Sequence, residues 1–123
     1  MKLIIDRKTW ARGTPGQAKL LDEDCGYRCC LGFLAKECGI PDEALSSVKS
    51  FDQFYLLPGK LKWIKKVPQF LLDGCRNSDA AQLLMQANDV SLLHSNLFKS
   101  ETEREEWLTK KFAEYDIELV FEN

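Results

Sequence analysis

The stretch SETEREEWLTKKFAEYDIELVFE, residues 100–122, constrains this chain more than any other. It reads as an amphipathic helix that runs into an alternating strand with no proline or glycine between them. Ser100 and Glu103 form an S-x-x-E capping box, each able to satisfy an orphan N–H of the first helical turn. Leu108, Phe112 and Tyr115 mark one face, with Trp107 alongside, and Glu106 and Lys110 are an i,i+4 pair in the favourable order. Ile117, Leu119 and Phe121 then alternate with Glu118, Val120 and Glu122, the pattern of a half-buried strand. At the other end of the chain KLIID, residues 2–6, is a short run with the same strand character. The two terminal strands are expected to share one sheet. The architecture implied is α+β: a small, mostly antiparallel sheet that includes both termini, with helices packed on one face. At 123 residues, with no repeat, linker or low-complexity stretch, the chain reads as a single globular domain, 1–123.

Between these ends the punctuation is informative. Thr14-Pro15-Gly16 is a turn signal, and AKLLD and YRC suggest a β-hairpin over 17–30 that turns at Gly26. A helix is expected from about Cys29 to Cys38. Cys30, Leu34 and Cys38 recur at i, i+4, i+8, Gly39 is placed to cap the helix, and Pro41 stops it. PDEALSS suggests one or two further helical turns. Residues 47–77 carry Pro58-Gly59 and Pro68 as breakers and are expected to be irregular, with short helical turns. Ser78 then caps a helix through SDAAQLLMQAND that faces Ala81, Leu84 and Met85 to the core.

Charge and composition narrow the function. The formal net charge is −2, so bulk electrostatics give no drive toward nucleic acid or an anionic membrane. No apolar run approaches the roughly 20 residues of a membrane span, and Met1 is followed by a strand-like run where a secretory signal would place a basic and then a long apolar region. Five cysteines, an odd number, fit free thiols in a reducing cytoplasm. Their spacings lack the paired C-x-x-C of a structural zinc site, and no metal or cofactor is expected. Cys29, beside Arg28 at a helix start, is the one candidate nucleophile, but His94 is the only imidazole and nothing in the sequence places it nearby. No catalytic motif is present and no catalytic residue is assigned.

Two segments carry binding chemistry. In TWARGTPGQ, Trp10 and Arg12 are costly for a plain turn, and Gly13 and Gly16 bare backbone N–H groups that suit an anion. Arg28 adds a second guanidinium. In KLKWIKK, Lys60, Lys62, Lys65 and Lys66 surround Trp63, and an aromatic among lysines can stack a base. These eight residues are the candidate ligand- or partner-binding set. Each has a plainer use, as a core cap or a solvated charge. The acidic run Glu101–Glu106 suits a helix N-terminus, and could also engage a basic protein surface as nucleic-acid mimics do.

The segments WARG, LLDEDCGYRCCLGFLAKECG, LMQAND and EREEWLTKKFAEYDIELVF together resemble a group of small, uncharacterised bacteriophage-encoded proteins. Those share a W-x-R-G segment, a C-C-L-G-F-L helix, an N-D after a later helix and a closing helix–strand unit. The order holds along nearly the whole chain, with residues 45–75 matching least. The resemblance implies work in a bacterial host cytoplasm and carries over no catalytic residue. By analogy with short phage accessory proteins, the expected function is inhibition of a host defence or regulatory machine by stoichiometric binding. A CRISPR effector and a nucleotide-signalling defence are the target classes. The alternatives are an oligomeric binder that sequesters a nucleotide signal and a cysteine-dependent enzyme. The nucleotide version is expected to be a homo-oligomer, because such sites often form between subunits.

Overall fold

A computed structural model describes residues 1–14, 18–93 and 96–123 of the chain. The order is β1 (Lys2–Asp6), α1 (Cys30–Glu37), α2 (Asp42–Leu45), three 3₁₀ turns (Phe51–Tyr55, Leu61–Lys66, Gln69–Leu71), β2 (Leu72–Asp73), β3 (Arg76–Asn77), α3 (Asp79–Asp89), α4 (Glu101–Ala113) and β4 (Glu118–Glu122). The fold is α+β, and the two terminal strands do pair.

The direction of that pairing corrects the expected antiparallel sheet. β1 and β4 run parallel, with Leu3 opposite Leu119 and Ile5 opposite Phe121. Alternation dictates which side chains share a face but is the same read in either direction. Parallel neighbours need a long crossover, and everything between Asp6 and Glu118 serves as one. Tyr115 and Asp116 close α4, Asp116 with φ 62°, and the Ile117 N–H returns to the Phe112 carbonyl. Among the described residues the only antiparallel strands are β2 and β3, two residues each. The expected hairpin over 17–30 is absent from its described residues. Leu21 instead bridges Ser46 and Arg28 bridges Trp10, both parallel. The turn within it does form: the Asp22 N–H donates to the Tyr27 carbonyl, and Gly26 has φ 78°. Pro15 and Gly16 of the expected turn at Thr14 lie outside the described residues.

Local signals hold where they depend on neighbours in sequence. Ser78 Oγ accepts from the Ala81 N–H and Ser100 Oγ from the Glu103 N–H. Glu103 completes the second cap one residue further out, accepting the Lys99 N–H at 3.3 Å. One core runs through the molecule: Leu3 and Ile5 from β1, Cys30, Leu31, Leu34 and Ala35 from α1, Leu84 from α3, Leu108 and Phe112 from α4. Tyr115 lies parallel to Phe70, ring centres 4.0 Å apart, and so ties the end of α4 to the irregular middle segment.

Gly32 sets how closely α1 approaches the loop before it. A Cβ there would lie 1.9 Å from the Leu20 carbonyl oxygen, and backbone cannot step aside as a flexible side chain can. Alanine in a helix interior ordinarily stabilises by about 1 kcal/mol over glycine. Here the sign reverses. Gly32→Ala is expected to lower stability by about 3 kcal/mol through overpacking, read as a fall in the urea midpoint. An unchanged or raised midpoint would show that α1 does not touch Leu20.

Candidate functional site

Three of the four segments quoted above for the phage resemblance meet at one buried side chain, Asn88, in the last turn of α3. Its Oδ1 accepts from Trp10 Nε1 at 2.8 Å and from the Cys30 N–H at 3.0 Å. Its Nδ2 donates to the Ala11 carbonyl at 3.0 Å and to Asp89 Oδ1 at 2.8 Å. An amide offers two donors and two acceptor positions, so this one is saturated. It holds the W-A-R-G loop, the first N–H of α1 and the end of α3 together.

Arg104 completes the arrangement from α4, although its side chain is 0% exposed. Nη1 donates to the carbonyls of Ala87 and Asn88, and Nη2 to that of Val90. These belong to the carbonyl groups that a helix end leaves without intrahelical partners. Nε turns back to Glu101 at 3.1 Å, which supplies the countercharge for a buried guanidinium. The W-A-R-G loop closes over this pair, with the Gly13 N–H donating to the Asn88 carbonyl at 2.9 Å.

Trp10 and Arg12 are therefore committed inside the fold. Trp10 is buried, and its ring lies 5.0 Å from that of Phe121. The Arg12 guanidinium sits 4.4 Å over the indole. Its Nε bonds Glu101 at 2.9 Å, and Nη1 reaches the carbonyls of Trp10 and Arg7. Arg28 is buried too. Its Nη2 pairs with Asp42 at 2.7 Å, while Nη1 finds no partner. Asp42 opens α2, so this pair fastens the segment before α1 to the helix after it.

The lysine segment is different. Lys60 Nζ reaches the carbonyls of Glu43 and Ala44 in α2, and Lys66 Nζ lies beside Gly39 at the end of α1. Lys62 lies 5.4 Å from the half-buried Trp63 ring. Lys62, Lys65 and Lys66 are exposed. Among the described residues no hydrogen bond, ion pair or ring contact links Trp10 or Arg12 to these lysines, so the eight candidates do not form one cleft. A surface depression of about 540 Å³ lies between α4 and the start of β4 and is lined by none of them.

Pattern reading missed the apolar part of this region. Leu56 is 81% exposed and Leu61 58%, with Leu57 beside them, at the Pro58-Gly59 turn between two 3₁₀ turns. The lobe is anchored by Phe51 and Phe54, buried and packed edge-to-face at 5.8 Å, and by buried Val67. A P-G dipeptide with leucines on both sides was the available signal. Arg104 was also legible, since it stands at i−4 to Leu108 and i−8 to Phe112, squarely on the apolar stripe.

Cys29 and Cys30, both buried, fit packing better than nucleophilic attack. Burial pushes the Cys29 thiol up to about 12, overriding the backbone N–H groups that pull the other way. Cys30 is likewise raised well above the ordinary thiol range, chiefly by the same desolvation. A nucleophile needs the opposite shift. His94 lies outside the described residues. Among those described, no group of three or more His, Cys, Asp or Glu side chains is placed to hold a metal ion, and no helix is long and apolar enough to cross a membrane. The acidic run is largely spent internally. Glu101 pairs with Arg12 and Arg104, and Glu105 with Arg7 at 2.7 Å, which leaves Glu106 as its exposed acid.

No protein-family model, curated protein or solved structure matches this chain.

Two outcomes test the junction. Asn88→Ala would leave the Trp10 indole N–H and the Cys30 N–H buried without acceptors, at an expected cost of about 3 kcal/mol or more in denaturant unfolding. A loss under 1 kcal/mol (about what one exposed hydrogen bond contributes) would rule out the junction as a clamp. Asp89 supplies a pH signature. Burial raises its carboxyl from 3.8 to about 6, partly opposed by the Asn88 hydrogen bond and the Arg104 charge. The native state thus keeps a proton that the unfolded chain releases. This contribution to stability is fully present below about pH 4 and is lost as pH rises through about 6. Asp89→Asn should gain stability over the parent as pH rises across that window, measured as the difference in urea midpoints. A difference independent of pH would contradict the raised value.

Proposed function

We propose that this protein acts by occupying a partner and not by turning over a substrate: a phage accessory factor that inhibits a host defence or regulatory machine in the bacterial cytoplasm by stoichiometric binding. The observation that carries this reading is the lobe at Leu56–Lys66. It presents Leu56, Leu57 and Leu61 to solvent on a segment that also carries the exposed Lys62, Lys65 and Lys66. Exposed apolar patches with polar rims are a mark of interaction surfaces. The complementary partner has an apolar depression bordered by carboxylates, and the charges would set encounter rate and register more than affinity. CRISPR effectors and nucleotide-signalling defence proteins are the target classes that the phage resemblance suggests.

The geometry favours this over the two alternatives. A nucleotide clamp built on Trp10 and Arg12 would have to break four hydrogen bonds and a stacked pair that already engage them. Arg28 keeps one unpartnered nitrogen, but its side chain is only 9% exposed. A thiol nucleophile would have to ionise against burial.

Native mass spectrometry of the protein isolated gently from a bacterial host lysate tests the reading. A host protein at fixed stoichiometry is expected, released as salt rises. Leu56→Glu with Lys62→Glu and Lys65→Glu should abolish its retention without lowering the melting temperature, because all three side chains are exposed. A partner retained equally by the triple variant would remove the lobe from the interface. A nucleotide in place of a protein would overturn the inhibitor reading.

A further inference from the structure

The outer edge of β1 is a strand-pairing surface left open. In the parallel ladder the Glu118 N–H donates to the Met1 carbonyl and the Arg7 N–H to the Glu122 carbonyl. Backbone groups alternate in direction along a strand, so Leu3 and Ile5 face β4 while Lys2, Ile4 and Asp6 turn their N–H and C=O groups away. On that side the backbone of Lys2 and Ile4 meets no partner among the described residues, and only the Asp6 carbonyl is engaged, by Thr9. A groove of about 430 Å³ runs along this edge, lined by Lys2, Leu3, Ile4, Phe33, Lys36 and Glu37. Ile4 stands in it 44% exposed, although Leu3 and Ile5 on either side are buried.

We propose that this edge pairs with the same edge of a second copy, β1 against β1 antiparallel about a two-fold axis at Ile4, to make a four-stranded sheet. The segment K-L-I-I-D is self-complementary in that register. Ile4 meets Ile4 of the second copy, and Lys2 of each copy meets Asp6 of the other. The residues that would form the hydrogen-bonded pairs, 2 with 6 and 4 with 4, are those whose backbone groups point outward. Charge supports the choice. On the outer face Asp6 lies across from Glu122, a like-charge pair, while Lys2 lies across from Glu118 without closing an ion pair with it. The second copy would bring each Lys2 beside an Asp6 that lacks a cation. The same operation on β4 has no such logic, because its outward side chains are Glu118, Val120 and Glu122. Two-stranded sheets are also marginal alone, and an open edge carrying an exposed isoleucine is usually covered.

Sedimentation velocity of the full chain at micromolar concentration is the test. The expected mass is twice the 14.1 kDa of one chain. Lys2→Asp sets like charges opposite each other at both ends of the pairing and should weaken the dimer about tenfold or more. Adding Asp6→Lys to it restores opposite charges in reversed order and should recover the dimer. A monomer at all concentrations up to about 100 μM overturns the proposal, since that Kd is too weak for a stable pair. A dimer indifferent to Lys2→Asp, or one that the double variant fails to rescue while circular dichroism shows it folded, overturns it as well. Because the lobe is not involved, failure here leaves the inhibitor reading standing.

Discussion

Everything near the centre of this protein depends on keeping one carboxamide fully hydrogen-bonded in a dry place. Asn88 costs free energy to bury unless each of its donors and acceptors is met. The structure meets them with groups from three separate parts of the chain: the Trp10 loop, the first N–H of α1 and its own neighbour Asp89. Arg104 extends the same requirement to the end of α3, where exposed carbonyls would otherwise need water. Hydrophobic burial is tolerant of small shifts, whereas these bonds are not. The junction therefore chooses one arrangement among the many that the apolar core alone would permit.

This explains why residues with ligand-binding chemistry turn out to serve structure. Trp10, Arg12 and Arg28 have the side chains that recognise anions and rings, and the fold supplies both internally. Glu101 and Asp42 stand where a ligand's charge partner would be, and the carbonyls of Trp10 and Arg7 take the remaining donors. Lys62, Lys65 and Lys66 lie beyond the reach of this network. They stay exposed, as do Leu56 and Leu61, in a segment built of short 3₁₀ turns. The binding surface proposed above thus lies on irregular connecting chain, where binding residues are often carried.

Several features were legible because their causes are local. The caps at Ser78 and Ser100, the stop at Gly39, the stripe of α1 and the alternation of β1 and β4 each depend on residues within a turn or two. The site was legible only as a set of residue types. That Lys60–Lys66 is basic with an aromatic is written in the sequence. That Arg12 is stacked and bonded away is not, because its partner Glu101 lies 89 positions on. Arg104, which the pattern reading passed over although it stands on the apolar stripe of α4, is the residue that closes the neighbouring helix.

By itself, the sequence determined the two terminal strands, the helices and the caps at Ser78 and Ser100, since these follow from short-range periodicity and the backbone's need for nearby partners, whereas the expected hairpin over 17–30 did not form. It also determined that Ile117, Leu119 and Phe121 would alternate with Glu118, Val120 and Glu122. Only the tertiary structure decided that β1 and β4 run parallel and that Asn88 gathers three segments. Only the tertiary structure decided that burial, and not the start of α1, governs Cys29. The physical reason is common to all three. Strand direction, the completion of a buried amide and the solvation of a thiol are set by groups remote in sequence, and nothing in a local pattern records which of them will arrive.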